Sequence, residues 1–558
     1  MNEIITLNRN NCKNCYKCIR NCSVKSIKFS GNQASIVKNE CILCGHCYVV
    51  CPQNAKEIVS DMEKVKMLLQ SSEKVVVSLA PSFIANYNGV SIKIMKNALT
   101  GLGFYDVEET AIGAQIVKTE YEEYIEKHQP EIFITSACHS VNLLIQKYYP
   151  NLVNLLAPII SPMQAHALDI KDRMKNAKVV FIGPCIAKKD EANHYEGYVD
   201  AVLTYDELSK WFEKENIVLE KEEDDSEKFK SRFFPTTGGI IKSLSKKDDK
   251  YNYLAIDGVD NCIKVLDDIS EENLSKCFIE MSSCVGSCIN GPIMEKNHKR
   301  PLRDYLEVVN YAGNNDIELY GLEDKSLEKE FVSIKKKFVY PTEIEIGEIL
   351  KQMGKETLAD ELNCGSCGYN TCRDKAVAIY QGKANISMCL PFLKERAESF
   401  YFNVLNHTPS GIIILNENLE IQQINKAAKA IVNLKRSCDV LGENVVKILN
   451  DKPFKEVLDS KKNVFNNRRF LVEYDRTVEE SIYYDENYHI IMYLVNDITE
   501  QVNQKRLKEK LNQQTIEVAN KVVEKQMRIV QEIASLLGET AAETKVTLTR
   551  LKETIENE

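Results

Sequence analysis

The sequence predicts a multidomain α/β and α+β protein, and three observations carry that prediction. At 558 residues the chain is too long for one hydrophobic core, so several domains are expected. Its 19 cysteines fall in groups at metal-ligand spacings, which marks out small metal-bound domains and a larger module between them. After Pro391 the cysteines nearly stop, and the text turns to apolar strands and then to a long charged helix.

A formal charge of −9 and a pI near 5.7 describe an ordinary solvated surface. There is no basic stripe, so no nucleic-acid partner is expected. Residues 1–11 lack the basic-then-apolar pattern of a secretory signal. No apolar run approaches a membrane span, and the best, Val75–Leu79, has the length of a buried strand. The expectation is a cytoplasmic protein without a membrane partner, whose cysteines bind metal rather than form disulfides.

The first cysteine system is Cys12-x2-Cys15-x2-Cys18-x3-Cys22, repeated as Cys41-x2-Cys44-x2-Cys47-x3-Cys51-Pro52. In such repeats three thiolates wrap one face of a 4Fe–4S cubane, and the fourth ligand comes from the other repeat. Cys12, Cys15, Cys18 and Cys51 would hold one cluster, and Cys41, Cys44, Cys47 and Cys22 the other. The spacing resembles bacterial 2x(4Fe-4S) ferredoxin domains over residues 1–57, with Ser23 where the second repeat has Pro52. Zinc is the alternative that two intact four-cysteine repeats disfavour. His46, inside the second motif, reads as a solvated loop residue. The second system is Cys364-Gly-Ser-Cys367-Gly-Tyr-Asn-Thr-Cys372 with Cys389 beyond a helix over residues 373–383. Gly365 and Gly368 let the backbone bend around a metal and offer amide N–H groups to sulfur. Residues 343–395 resemble the small helical single-cluster domain of anaerobic redox complexes; a zinc knuckle is the alternative.

The third system is dispersed. Cys138 sits in Thr135-Ser136-Ala137-Cys138-His139-Ser140, and Cys185 in Gly183-Pro184-Cys185-Ile186-Ala187-Lys188-Lys189-Asp190-Glu191. Cys284 and Cys288 sit in Glu280-Met281-Ser282-Ser283-Cys284-Val285-Gly286-Ser287-Cys288. In order and spacing these segments resemble the signature motifs of FeFe-hydrogenases, over a two-lobed α/β module at residues 72–310. Ala80-Pro81-Ser82 and Asp257-Gly258-Val259-Asp260-Asn261 also match. The resemblance implies that Cys138, Cys185, Cys284 and Cys288 bind a cubane, with Cys288 bridging to a diiron subsite to complete an H-cluster. It also implies that Lys188 donates to a cyanide there, with Pro81 and Ser82 flanking the subsite and Glu191 nearby. Spacing alone supports only the cubane.

The family pattern is broken where protons would pass. Active members carry two adjacent cysteines in the first motif; here the proton carrier is Ala137 and only the ligand Cys138 remains. Ala157 lies at the relay serine position, and Tyr121 and Tyr124 at the two relay glutamates. Gly183 and Ser282 replace methionines, and His139 and Val141 replace the usual Pro and Trp. Losing a positioned acid–base group costs about 10²–10⁴ in rate, so turnover should be low. His139 offers either a new proton route or a satisfied structural group. Cys262, Cys277 and Cys438 remain over and are expected to be small buried hydrophobes.

Residues 398–500 carry an apolar strand from Ile412, a second around Ile421 and Ile424, Asn425-Lys426-Ala427-Ala428 opening a helix, and an Asp497-Ile498-Thr499 exit. This resembles a PAS sensor domain, reached by a helix over residues 392–402. Neither His407 nor His489 persuades as a haem ligand. Residues 501–558 form a coiled-coil-like signalling or dimerisation helix, with Leu507, Leu511, Val518, Val522, Ile529, Ile533 and Leu536 as its seam and Gly538 interrupting it. A single helix packed on the chain's own surface is the alternative. No histidine follows His489 and no Gly-rich nucleotide loop occurs, so output needs a separate signalling protein. The resemblances together imply three 4Fe-4S clusters plus an H-cluster, an anaerobic setting, a ferredoxin or other redox partner, and a homodimer through the PAS domain and helix. The expected function is sensing H2 or redox state with slow turnover. A slow but genuine ferredoxin-linked hydrogenase, and a four-cluster electron-transfer protein without the diiron site, are the alternatives.

Overall fold

A computed structural model of the protein describes residues 3–71, 74–220, 227–271, 274–297, 300–319, 327–334 and 339–555. The expected domain edges at residues 1, 72 and 558 fall outside the described residues. The chain divides into two compact units, Met1–Leu393 and Lys394–Glu558.

The first unit opens with two small antiparallel pairs, Ile5–Leu7 with Lys56–Ile58 and Ile27–Ser30 with Gln33–Ile36. A short helix lies within each cysteine run, Lys17–Arg20 around Cys18 and His46–Val49 around Cys47. Gly45 begins the second with φ 76°, and a Cβ there would meet the Pro292 side chain at 2.6 Å. Only glycine allows both this turn and the close approach of helix Pro292–Asn297.

Two parallel sheets then form two lobes. The first runs in the order Asp106–Glu109, Val75–Leu79, Lys178–Gly183, Ala201–Thr204, all parallel. Val75–Leu79 is buried along its whole length, as a central strand covered on both faces must be. Each such Val or Leu side chain contributes about 1.5–3 kcal/mol on burial. The second sheet runs Asn252–Asp257, Cys277–Ser282, Ile132–Ile134, again parallel. The module reaches past residue 310. Residues 327–334 return to it, with Ile160 N–H donating to the Leu327 carbonyl at 2.9 Å, Lys329 N–H to Pro158 at 2.9 Å and Ile334 N–H to Gln146 at 2.9 Å.

Residues 343–395 hold helices Glu343–Gln352 and Cys372–Tyr380, each opened by a capping box, Thr342 with Glu345 and Thr371 with Asp374. This segment docks on the ferredoxin-like one, although more than 280 residues separate them in sequence. Phe29 N–H donates to the Lys383 carbonyl at 2.7 Å, and Lys383 pairs with Glu40 at 2.6 Å. At Gly368, φ 93°, a Cβ would meet the Ile19 side chain at 3.0 Å.

The second unit is built on a five-stranded antiparallel sheet in the order Ile421–Ile424, Gly411–Asn416, Ile490–Asp497, Arg476–Asp485, Val464–Leu471. Alternate residues such as Ile413, Leu415, Ile491, Tyr493 and Val495 face its core. Buried Asn425 caps helix Lys426–Ile431, accepting from Ala428 N–H at 2.8 Å and Ile412 N–H at 2.9 Å. The preceding helix, expected over residues 392–402, spans Leu390–His407 and ends on His407. His489 lies in the turn before Ile490–Asp497, with φ 53°. The final helix, Thr499–Ile555, runs without a break through Gly538. A helical glycine costs about 1 kcal/mol relative to alanine, too little to stop a helix with long flanks on both sides. Every seam residue from Leu507 to Leu536 is exposed within its own chain. No helix among the described residues is long and apolar enough to cross a membrane.

Candidate metal centres

All 19 cysteines are free thiols, and sixteen gather into four sets of four. In the ferredoxin-like segment the sets cross between repeats. Cys22, Cys41, Cys44 and Cys47 line one hollow with Ile5, Ile27, Ile36 and Ile42. His46, expected in a solvated loop, begins a helix, is half-buried and lines the same hollow. Cys12, Cys15, Cys18 and Cys51 form the other set. Burial pushes the Cys18 thiol up to about 11; the Cys51, Cys12 and Cys15 thiolates push the same way against buried Lys56. Backbone N–H groups point at sulfur, from Ser26 to Cys22 at 3.4 Å, Leu43 to Cys41 at 3.4 Å and Ala55 to Cys51 at 3.3 Å. Four crowded thiols in each set, with amide donors aimed at Cys22, Cys41 and Cys51, fit a bound iron–sulfur cluster better than four protonated thiols.

Cys364, Cys367, Cys372 and Cys389 line a second hollow together with Lys355, Lys375 and Tyr369. The Cys364 thiol is held below its ordinary value, chiefly by the hydroxyl and backbone N–H of Ser366.

The third system becomes legible from the strand ends. Pro81, Cys138, Cys185 and Cys284 each follow a parallel strand at its carboxyl end, from both lobes, so the two sheets face one crevice with these residues. This is where open parallel sheets place ligands. Asp257, at the end of the adjoining strand, accepts from Gly286 N–H at 2.8 Å and Thr237 Oγ1 at 2.7 Å, which fixes the turn between Cys284 and Cys288. Burial and then mutual repulsion push Cys185 up to about 11 and Cys288 to about 12. Cys288 is exposed, and Ala137, Cys138, Cys185, Lys188 and Cys284 are partly accessible. The four thiols lie within reach of one another's charge, and such a set fits an iron–sulfur group.

Lys188 donates to Glu191 Oε2 at 2.5 Å and to the Ala137 carbonyl at 3.2 Å. Glu191 is fully buried, and its other oxygen accepts from Lys329 at 3.1 Å. Burial would raise the Glu191 carboxyl, but Lys188 and Lys329 outweigh it and hold the group far below the usual range. Lys329 lies beyond the expected module, carries no motif and is invisible in the sequence as a site residue. Tyr205 is likewise unmarked; its hydroxyl donates to the Ala80 carbonyl at 2.9 Å and meets buried Ser82 Oγ at 2.8 Å.

Ala137, Tyr121, Tyr124 and Ala157 come together in one apolar cluster with Phe133 and Ile159. Burial pushes the Tyr121 phenol up to about 12, and its oxygen accepts from Ser136 N–H at 3.1 Å. His139 pairs with Asp190 at 3.0 Å through Nε2, while its buried Nδ1 has no partner; burial lowers its pKa. Cys262 and Cys277 are buried as expected. Cys438 is not: it sits exposed in the turn Ser437–Asp439, where no neighbouring element covers it. Glu108, His166 and Asp169 also cluster, but the Arg173 guanidinium bridges both carboxylates at 2.6 and 2.7 Å, which satisfies them without a metal.

Comparison with known proteins agrees with this layout. Residues 4–67 match the 4Fe-4S dicluster domain family, and residues 360–391 an Fe-S cluster family. Residues 73–292 match the C-terminal domain of the iron only hydrogenase large subunit. Iron hydrogenase 1 of Clostridium pasteurianum is 28% identical over 367 residues, 51% of this chain and 64% of that protein, so the match spans less than two thirds of its length. A solved FeFe-hydrogenase, HydA1 from Chlamydomonas reinhardtii, is 18% identical over 46% of this chain and 90% of its own, with a TM-score of 0.38. A PAS domain from a two-component sensor histidine kinase is 20% identical over 19% of this chain and 98% of its own, with a TM-score of 0.17.

Proposed function

From a chain that is an FeFe-hydrogenase-like iron–sulfur protein, with an iron-only hydrogenase large-subunit domain at residues 73–292, we propose a sensor. It registers hydrogen or redox state at a diiron H-cluster, turns hydrogen over slowly, and signals through residues 398–500 and the following helix to a separate protein. The observation that carries this reading is an assembled ligand set beside an apolar plug at Ala137.

Cys138, Cys185, Cys284 and Cys288 would hold the cubane, with Cys288 placed by its motif to bridge to the diiron subsite. When bound, that group supplies the reversible splitting of hydrogen into two protons and two electrons. Lys188 is oriented by Glu191, itself fixed by Lys329, and so keeps a charged donor in the crevice. Pro81 and Ser82 are buried at the neighbouring strand end and would flank the subsite. Ala137 can neither hold nor pass a proton. Ala157, Tyr121 and Tyr124 share its apolar cluster and bring no acid to it. Absence of that relay costs about 10²–10⁴ in rate, which suits a gauge more than a producer. Three further 4Fe–4S clusters would wire the site to a ferredoxin or other redox partner, and the second unit would form a homodimer.

The test is infrared spectroscopy of protein matured with the diiron subsite, with and without hydrogen, beside a turnover assay. Cyanide and carbonyl bands that shift under hydrogen, with slow turnover, are expected. Absence of the bands would leave a four-cubane electron-transfer protein. Turnover within tenfold of ordinary FeFe-hydrogenases would make it a genuine ferredoxin-linked hydrogenase.

A further inference from the structure

The hollow at Cys364, Cys367, Cys372 and Cys389 holds more than thiols. Lys375 is 1% exposed and Lys355 8%, and both line it. Neither lies within ion-pair distance of a carboxylate among the described residues; their ammonium groups donate only to the carbonyls of Ile386 and Asp360. Tyr369, 2% exposed, lines the same hollow, and its buried hydroxyl has no hydrogen-bond partner. A buried phenol otherwise finds an acceptor, so an orphan one beside four thiols points to a group that arrives with the metal.

The hollow also has a neighbour. Lys25, three residues after Cys22, donates to the carbonyls of Arg20 at 3.0 Å, Ile19 at 3.2 Å and Gly368 at 3.1 Å. Arg20 donates to the carbonyls of Gly365 at 3.3 Å and Ser366 at 3.2 Å.

We propose that Lys375, Lys355 and Tyr369 hold up the reduction potential of the cluster at Cys364, Cys367, Cys372 and Cys389, so that it draws an electron from the Cys22, Cys41, Cys44 and Cys47 cluster and keeps it at the head of helix Leu390–His407. The inference rests on both sets being 4Fe–4S sites. One electron leaves the reduced donor cluster and enters the acceptor cluster; no bond or proton moves. The reduced cluster carries one more negative charge than the oxidised one. Two buried ammonium groups therefore stabilise the reduced form in a medium that screens them poorly, and a phenol O–H donated to sulfur acts in the same direction. Cys389 immediately precedes helix Leu390–His407, so the trapped electron sits at the end of the first unit's chain.

The experiment is a redox titration followed by electron paramagnetic resonance on the full-length, iron-loaded protein. The signal missing from Cys372→Ser identifies this cluster. In Lys375→Met its preference for the electron should fall at least tenfold, about 59 mV for a one-electron couple. Tyr369→Phe should shift it in the same direction, and Lys375→Arg should stay within threefold of the parent. An unmoved signal, an upward shift, or an equal shift in signals that survive Cys372→Ser would overturn the proposal. Iron analysis separates this from failure of the cluster assignment, which would leave the parent short of iron rather than unshifted. Should Lys375→Met itself lose iron, Tyr369→Phe decides by the same reading, since it removes only an oxygen.

Discussion

Replacing Glu191 with glutamine probes the buried triad Lys188–Glu191–Lys329 by changing one atom and one charge. In the parent both carboxylate oxygens are used, by Lys188 at 2.5 Å and Lys329 at 3.1 Å, and the group is fully buried. The amide keeps one oxygen for one ammonium and turns an NH2 donor toward the other. Loss of one charge-assisted hydrogen bond costs about 1.5–3 kcal/mol. The ammonium left unpaired in the interior brings the total to about 3–5 kcal/mol. The chain has a single tryptophan, Trp211, buried in helix Tyr205–Lys214 of the same lobe, so urea unfolding followed by its fluorescence reports on this module. The folded-state pKa of Glu191 lies below its unfolded value of about 4.3. Its stabilisation is therefore fully present above that value and is lost as pH falls through the folded one. The gap between parent and Glu191→Gln should hold steady from neutral pH to about 5 and narrow below about 4. A gap under about 1 kcal/mol at pH 7, or one that stays constant into acid, would refute the reasoning.

Other outcomes follow from the same geometry. Ala137→Cys alone should raise hydrogen turnover less than tenfold, because Ala157, Tyr121 and Tyr124 still close the route; adding Ala157→Ser, Tyr121→Glu and Tyr124→Glu should recover about 10²–10⁴, read in a hydrogen-oxidation assay. Cys22→Ser should abolish the cluster of Cys41, Cys44 and Cys47 and spare that of Cys12, Cys15 and Cys18, read as one lost resonance signal. Gly368→Ala combines strained φ with a 3.0 Å approach to Ile19, so residues 343–395 should loosen from the ferredoxin-like segment by about 1–3 kcal/mol, measured by hydrogen exchange at Phe29. The proposed homodimer predicts that the parent sediments as a dimer and that Val522→Asp with Ile529→Asp sediments as a monomer, since both lie on the exposed seam of Thr499–Ile555.

Much of the candidate chemistry was legible because metal ligation is read from short, rigid spacings. Cys12 to Cys51 and Cys364 to Cys389 announce themselves in the text, and the crossing of Cys22 and Cys51 between repeats is how the thiols lie in space. The module's cysteines needed a family resemblance, since Cys138 and Cys284 lie far apart in the chain and meet only because parallel strands share one carboxyl end. Helix ends and glycines were less legible. Gly538 interrupts the apolar seam but not the helix, because a local preference of about 1 kcal/mol yields to long helical flanks. Cys438 was expected inside, yet its burial depends on what covers a turn, which its own residue type does not encode.

By itself the sequence determined the cysteine spacings, the alanine that precedes Cys138 and the succession of apolar strands and helix over residues 398–500, all of which depend on residue identity and local pattern. Only the tertiary structure decided that Lys329 locks Glu191, that Tyr121, Tyr124 and Ala157 join Ala137 in one apolar cluster, and that residues 343–395 sit on the ferredoxin-like segment near Cys22. Those are contacts between distant parts of the chain. They are selected by the packing of whole surfaces and by the need to pair buried charge, and no window of neighbouring residues contains either condition.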